Sequence, residues 1–157
     1  MILKLASHHL ETICIHAERT YPEECCGLLL GHVNGEEKIL VEVRATENAW
    51  NAEAVDDFRQ MEPTAKLGET KQGNYAIAPA DILKAQREAR DRHLHIIGIY
   101  HSHPDHRAIP SQFDTRIAWQ QYSYIIVSVS QGQAGDVKSW CLDDTHQFQP
   151  EEIQMVD

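Results

Sequence analysis

The run Ile96-Ile97-Gly98-Ile99-Tyr100 passes without a break into His101-Ser102-His103-Pro104, and that passage narrows the folds open to the chain. An apolar run of this length, rich in β-branched residues, reads as a buried strand over His95 to His101. Alternate residues of a strand project from one face about 6.5 to 7 Å apart, so His101 and His103 stand side by side where the strand ends. Pro104 breaks the strand, and Pro110-Ser111 opens a short helix running to about Trp119. The segment calls for a sheet buried beneath helices, with two imidazoles at its rim and a helix N-terminus turned back toward them.

The rest of the chain supplies such a sheet. Ile2 to Leu5 is apolar, and Ser7 can cap a helix whose Leu10, Ile13, Cys14 and Ala17 fall on one face and which stops before Pro22. Cys25 to Val33 reads as a strand, Asn34-Gly35 as a hairpin turn, and Lys38 to Val43 as the returning strand. Ala45 to Tyr75 is polar and holds Pro63, Gly68 and Gly73; it reads as a long surface excursion with one short strand-like piece near Val55 to Met61. A helix with an apolar stripe of Ile82, Leu83, Ala85 and Ala89 follows from Asp81 to about Arg92. Tyr122 to Ser130 is a second buried strand, Gly132 and Gly135 turn the chain, and Val137 to Leu142 is a shorter strand. Phe148 to Val156 is a last edge piece or a frayed tail. The expectation is an α/β fold, a mixed β-sheet sandwiched by helices, in one domain over residues 1–157 with an insertion loop at about 45–75.

Composition excludes several function classes. The chain has 157 residues, 42% hydrophobic, which is enough for one core without staples. Lys and Arg number 14 against 24 Asp and Glu, a formal charge of -10 that disfavours nucleic acid and anionic membranes as partners. No run approaches the roughly 20 apolar residues of a membrane span, and the basic-then-apolar pattern of a secretory signal is missing, so the expected location is cytoplasmic. Cys14, Cys25, Cys26 and Cys141 have no C-x-x-C spacing and read as buried free thiols, Cys26 packed below Glu24. Among the 10 histidines, His8 and His9 at a helix start, and His93 and His95 with no carboxylate partner, read as surface residues; Asp105 and His106 read as an exposed loop.

The chemistry concentrates in the pattern H-x-H-x7-S-x2-D, formed by His101, His103, Ser111 and Asp114. Two neutral imidazoles and a carboxylate from the first turn of the next helix form a three-ligand zinc site. Its fourth position is left to water, as in hydrolytic rather than structural zinc. Ser111 three residues before Asp114 is also a capping box, and taken alone that reading suffices. With this chain's 10 His, 7 Ser and 10 Asp, chance would supply about 0.002 such patterns, so the combination is informative.

The segment resembles the signature of the JAMM metallopeptidases, the MPN-plus branch of the MPN domain superfamily: an upstream glutamate, then H-[ST]-H-x7-S-x2-D. Pro22-Glu23-Glu24-Cys25-Cys26-Gly27-Leu28-Leu29 is similar to the P-x-E-x-C-G-L-L run of prokaryotic members, and that alignment selects Glu24 over Glu23. The resemblance covers about residues 1–145 and implies the MPN, cytidine-deaminase-like architecture. It implies one zinc ion with a bound water on His101, His103 and Asp114, with Glu24 as general base then acid and Ser111 as oxyanion donor. It implies hydrolysis of the bond after the C-terminal Gly-Gly of a ubiquitin-like or sulfur-carrier protein, releasing cysteine, a peptide or a conjugated lysine. Substrate-binding residues are expected in the 45–75 loop, and a homodimer is left open. Two alternatives accompany this reading: a zinc hydrolase of the same fold acting on another amide, and a catalytically silent MPN interaction scaffold.

Overall fold

A computed structural model describes residues 1–61 and 70–157. Strand β1 (Ile2–Leu5) leads into helix α1 (Ser7–Thr20), then β2 (Cys26–Asn34), β3 (Glu37–Thr46), α2 (Ala52–Met61), α3 (Pro79–Asp91), β4 (His95–Pro104), α4 (Gln112–Ile117), β5 (Ser123–Ser130), β6 (Gln133–Leu142) and β7 (Phe148–Met155). The strands lie in the order β1-β3-β2-β4-β5-β6-β7. β1 runs parallel to both β3 and β7, and β4 parallel to β5; the remaining neighbours are antiparallel. The sheet is therefore mixed, as expected, and β1 also joins its two ends into a closed barrel.

Helices cover both faces. Leu29 packs with Leu3, Leu5, Ile97, Tyr100, Ile125 and Val127 in the main core, where α1 contributes Ile13 and Ala17. The next residue, Leu30, points the other way and packs with Ala89 of α3, Leu94 and Ile96, the alternation that a strand imposes. Gly98 of β4 leaves no room for a side chain: a Cβ there would lie 2.3 Å from the carbonyl oxygen of Ser123 in β5. Among the described residues, no helix is long and apolar enough to cross a membrane.

Several expectations are corrected. The hairpin turn is Gly35-Glu36, with Gly35 at φ 64°, and Asn34 instead pairs with Glu37 at the strand end. Ser7 does not cap α1: Ala6 is the N-cap, and His9 Nδ1 accepts the Ala6 N–H at 3.0 Å while its Nε2 lies 3.1 Å from the carbonyl oxygen of Val41. His9 is consequently buried rather than a surface residue, and burial lowers its pKa. Val55 to Met61 belongs to a helix, not a strand; Asn51 Oδ1 accepts the Ala54 N–H at 3.0 Å, and Ala52-Glu53-Ala54 favours helix. The remainder of the expected insertion at 62–69 lies outside the described residues. Leu83 is exposed and does not join the α3 stripe.

Gly132 makes its turn at φ 83°, whereas Gly135 lies inside β6, which is longer than expected. Phe148 to Met155 is neither edge nor tail, being paired with β6 and β1. Pro104 ends the strand as expected, and β4 runs on past His101 to reach it, whereas β2 extends only as far as the Cys26–His101 pair. Beyond that point β4 has β5 alone as a sheet neighbour, a place where a residue without an N–H is tolerated.

Candidate metal centre

The i, i+2 spacing at the end of β4 places His101 and His103 together, and the first turn of α4 brings Asp114 to them. His101 Nε2 lies 3.2 Å from His103 Nε2, Asp114 Oδ2 lies 3.0 Å from His103 Nε2, and Asp114 Oδ1 lies 3.1 Å from His101 Nε2. All three residues are buried. They are the one group among the described residues whose His, Cys, Asp or Glu ligand atoms converge closely enough to hold a metal ion.

The donor set fits a metal. A tetrahedron with bonds of about 2.0 to 2.1 Å has corners about 3.3 to 3.4 Å apart, close to the observed spacings. His103 Nδ1 lies 2.7 Å from the carbonyl oxygen of Arg107, so Nδ1 carries the hydrogen and donates it, leaving the Nε2 lone pair aimed at the convergence point. His101 Nδ1 is buried and has no hydrogen-bond partner among the described residues. Burial drives the His101 pKa down despite Asp114. For His103 burial pulls the same way but is outweighed by the Asp114 hydrogen bond and charge, which raise it. Burial alone would raise the Asp114 pKa, yet the two histidines hold it well below the usual carboxylate range.

Ser111 is the N-cap of α4. Its Oγ accepts the Asp114 N–H at 3.1 Å, and its own N–H donates to Asp114 Oδ2 at 2.8 Å. The expected capping box is real, and it also fixes the Asp114 carboxylate toward the histidines. Since Oγ is the acceptor in that bond, the hydroxyl hydrogen remains available to another group.

Glu24 lies just ahead of β2 and is 4% exposed, whereas Glu23 is exposed. Glu24 Oε1 is buried without a hydrogen-bond partner among the described residues. Burial, then the charge of Asp114, pushes its pKa up to about 9. Glu24, His103 and Ser111 line a common cleft of about 460 Å³ with Gly73, His106, Arg107 and Ile109. The backbone of Glu24 is pinned on both sides: its N–H donates to Lys71 O at 2.7 Å, and its carbonyl accepts from Asn48 Nδ2 at 3.0 Å.

Two residues that sequence reasoning passed over shape this centre. Tyr75 stacks on His101 with ring centroids 4.5 Å apart and 20° between planes, and Phe113 meets Tyr75 edge-on. Asn48 joins three segments. Besides Glu24 O, its Nδ2 donates to Asn74 O at 2.9 Å, while its Oδ1 accepts from Trp50 N at 3.0 Å and Ala76 N at 3.2 Å. Neither carries a periodic signal, since both lie in the polar stretch after β3. Asp105 and His106 are exposed, as expected, but Asp105 is tethered: it accepts from Tyr21 OH at 2.6 Å and Gln131 N at 2.9 Å. His93 and His95 are exposed, and Cys25, Cys26 and Cys141 are buried free thiols, with Cys14 half-buried.

A mixed sheet covered by helices, with two histidines at one strand end and a carboxylate from the next helix gathered at one point, defines an α/β domain of JAB/MPN type with a potential metal centre. The chain belongs to the prokaryotic homologues of the JAB domain, whose family model matches residues 6–143. Among solved structures it is similar to a solution structure of a Desulfitobacterium hafniense protein, 24% identical with a TM-score of 0.77, covering 99% of this chain and 93% of that one. It is also similar to a solution structure of a Salinibacter ruber protein, 29% identical with a TM-score of 0.69, covering 98% of this chain and 92% of that one. No curated protein matches it.

Proposed function

We propose that the protein is a zinc-dependent metallopeptidase or isopeptidase that hydrolyses the bond after the C-terminal Gly-Gly of a ubiquitin-like or sulfur-carrier protein. The observation that carries this reading is the convergence of His101, His103 and Asp114, with His103 lining one cleft together with Glu24, a buried glutamate that has an unpartnered oxygen. A zinc ion held by those three residues would supply Lewis acidity and a water acidified toward neutral pH.

The chain's own groups account for the rest. Glu24 is held protonated in the metal-free site, but a bound cation would favour its carboxylate form; Oε1, with no competing hydrogen bond, would then take a proton from the attacking water and hand it to the departing amine. The Ser111 hydroxyl, positioned by its bond to the Asp114 N–H, donates to the carbonyl oxygen as negative charge develops there, a contribution of about 100- to 1000-fold in rate. Tyr75 packs flat on His101 and keeps water from that side of the ligand. A tail ending in Gly-Gly suits this cleft, because a chain without side chains can run past Gly73 and Ile109 with its backbone close to His103. The cytoplasm, where such carriers are made, is the proposed location.

The test is a cleavage assay by mass spectrometry, using zinc-loaded protein and a small ubiquitin-like carrier extended beyond its Gly-Gly. Release after the second glycine by the wild type and by Glu23→Gln, together with none by a Glu24→Gln variant that still binds zinc, is expected. Near-normal turnover in Glu24→Gln would remove Glu24 from its role, and no release by verified zinc-bound wild type would overturn the substrate assignment.

A further inference from the structure

Besides Glu24, His103 and Ser111, the cleft is lined by three residues of the loop between β4 and α4: His106, Arg107 and Ile109. His106, Arg107 and Ile109 are exposed and Ala108 is buried, and the loop's backbone is held at successive carbonyls. His106 O accepts from Ser128 Oγ at 2.5 Å, Arg107 O from His103 Nδ1 at 2.7 Å, and Ala108 O from Trp140 Nε1 at 3.1 Å. Asp105 anchors its start through Tyr21 and Gln131, and its own N–H donates to Val129 O at 2.6 Å. A loop fixed to this degree holds the Cα positions from which its side chains extend, which lowers the ordering cost when a charged side chain closes on a ligand.

The charge that the loop adds to the cleft lining is that of Arg107. Arg44 and Arg92 are engaged by Glu42. Among the described residues, Arg107 has no ion-pair or hydrogen-bond partner for its guanidinium, and it faces a cleft that also holds Glu24. In a chain whose formal charge is -10, an anionic group entering this cleft would meet repulsion from the surroundings unless a cation received it.

We infer that Arg107 is a specificity-determining residue that binds the free α-carboxylate of the leaving group, so that the preferred substrate carries a single terminal amino acid beyond its Gly-Gly. This rests on the proposed function and deepens it. When an α-amino acid departs, its carboxylate carbon is two bonds from the amine that Glu24 protonates, and the carboxylate therefore enters the same cleft. When the amine is the ε-amine of a lysine within a protein, no free carboxylate accompanies it and the guanidinium has nothing to bind. A guanidinium offers the planar, two-pronged donor set that a carboxylate accepts.

The test compares three carriers extended beyond Gly-Gly: by alanine with a free carboxylate, by alanine amide, and by a lysine joined through its ε-amine within a peptide. The wild type should favour the free acid over the amide by about 10- to 100-fold in kcat/KM, the range for a charge-assisted hydrogen bond in a partly solvated site, with the lysine conjugate also poor. Arg107→Gln should bring the acid-to-amide ratio near one, and Arg107→Lys should restore part of it. Calorimetric binding of the tail peptides in acid and amide form to zinc-loaded Glu24→Gln, with and without Arg107→Gln, gives a second readout that needs no turnover. An acid-to-amide ratio near one in the wild type, or a preference that survives in Arg107→Gln by both readouts, overturns the inference. If the wild type cleaves none of the three, the function proposed above fails, while the binding ratio still decides whether Arg107 reads the carboxylate.

Discussion

Asn48 is where the architecture of the cleft can be tested most directly. Its side chain makes four hydrogen bonds, all to main chain: donated to Glu24 O and Asn74 O, and accepted from Trp50 N and Ala76 N. At a net value of about 1 kcal/mol each the bonds total about 4 kcal/mol, and Asn48 is only half-buried, so water replaces part of what Asn48→Ala removes. The expected loss is about 2 to 3 kcal/mol. With a urea dependence of about 2 kcal/mol per molar, the unfolding midpoint should fall by about 1 to 1.5 M. Asn48→Asp keeps the two acceptor interactions but turns a carboxylate oxygen toward two carbonyls, and should lose at least as much. Zinc affinity should change little, because no ligand touches Asn48, whereas kcat should drop as the Glu24 backbone loses an anchor. A midpoint shift below about 0.3 M for Asn48→Ala, or an Asn48→Asp protein as stable as the wild type, would refute the claim that this side chain holds the three segments together.

Other outcomes follow from the same geometry. In metal-free protein the Glu24 pKa lies near 9 against an ordinary 4.5, raised by burial and then by Asp114. The folded state therefore holds a proton that the unfolded state releases, and stability falls as pH rises through that window. Glu24→Gln should then be more stable than wild type under chelation, with the gap widening from pH 5 to pH 9 in urea titrations; a pH-independent gap would contradict the assignment. Zinc at 100 times its dissociation constant should stabilise the wild type by about 2.7 kcal/mol in a thermal melt, and Asp114→Asn should abolish most of that gain. Gly98→Ala places its Cβ 2.3 Å from a backbone oxygen that cannot swing aside, and should cost about 2 to 3 kcal/mol or more in chemical denaturation without altering the ligands.

The parts of this molecule that were legible in the sequence are those written in local spacing. The i, i+2 histidines follow from the strand period, and Asp114 follows from its place three residues after an N-cap serine. In that case the modest reading and the chemical one describe a single object, since the capping box aims the carboxylate at the histidines. Glu24 is singled out from Glu23 only by the register that a resemblance supplies; that it is the buried one of the two is visible only in the fold. What stayed hidden depends on contacts between distant segments. His9 looked like a surface residue at a helix start, and only the approach of Val41 makes it a buried cap. Tyr75 and Asn48 lie in a stretch with no period, so their roles emerge only when that stretch is folded against β2 and β4. The helix at Ala52–Met61 was misread because a short piece of mixed composition carries weak period information, and Asn51 is its clearest marker.

β1 bears on how the molecule comes into being during synthesis. This strand has four residues and pairs with β3 on one side and β7 on the other, so Ile2 meets Glu152 across nearly the whole chain. A ribosome releases the β4–α4 segment, with every proposed ligand, well before β7 emerges. Until β7 arrives, one side of β1 and the free margin of β6 present unpaired backbone, which invites pairing with neighbouring nascent chains. The barrel closes late by construction, and a truncation or slow translation ahead of residue 148 should reveal itself as aggregation rather than as a stable fragment bearing a working centre.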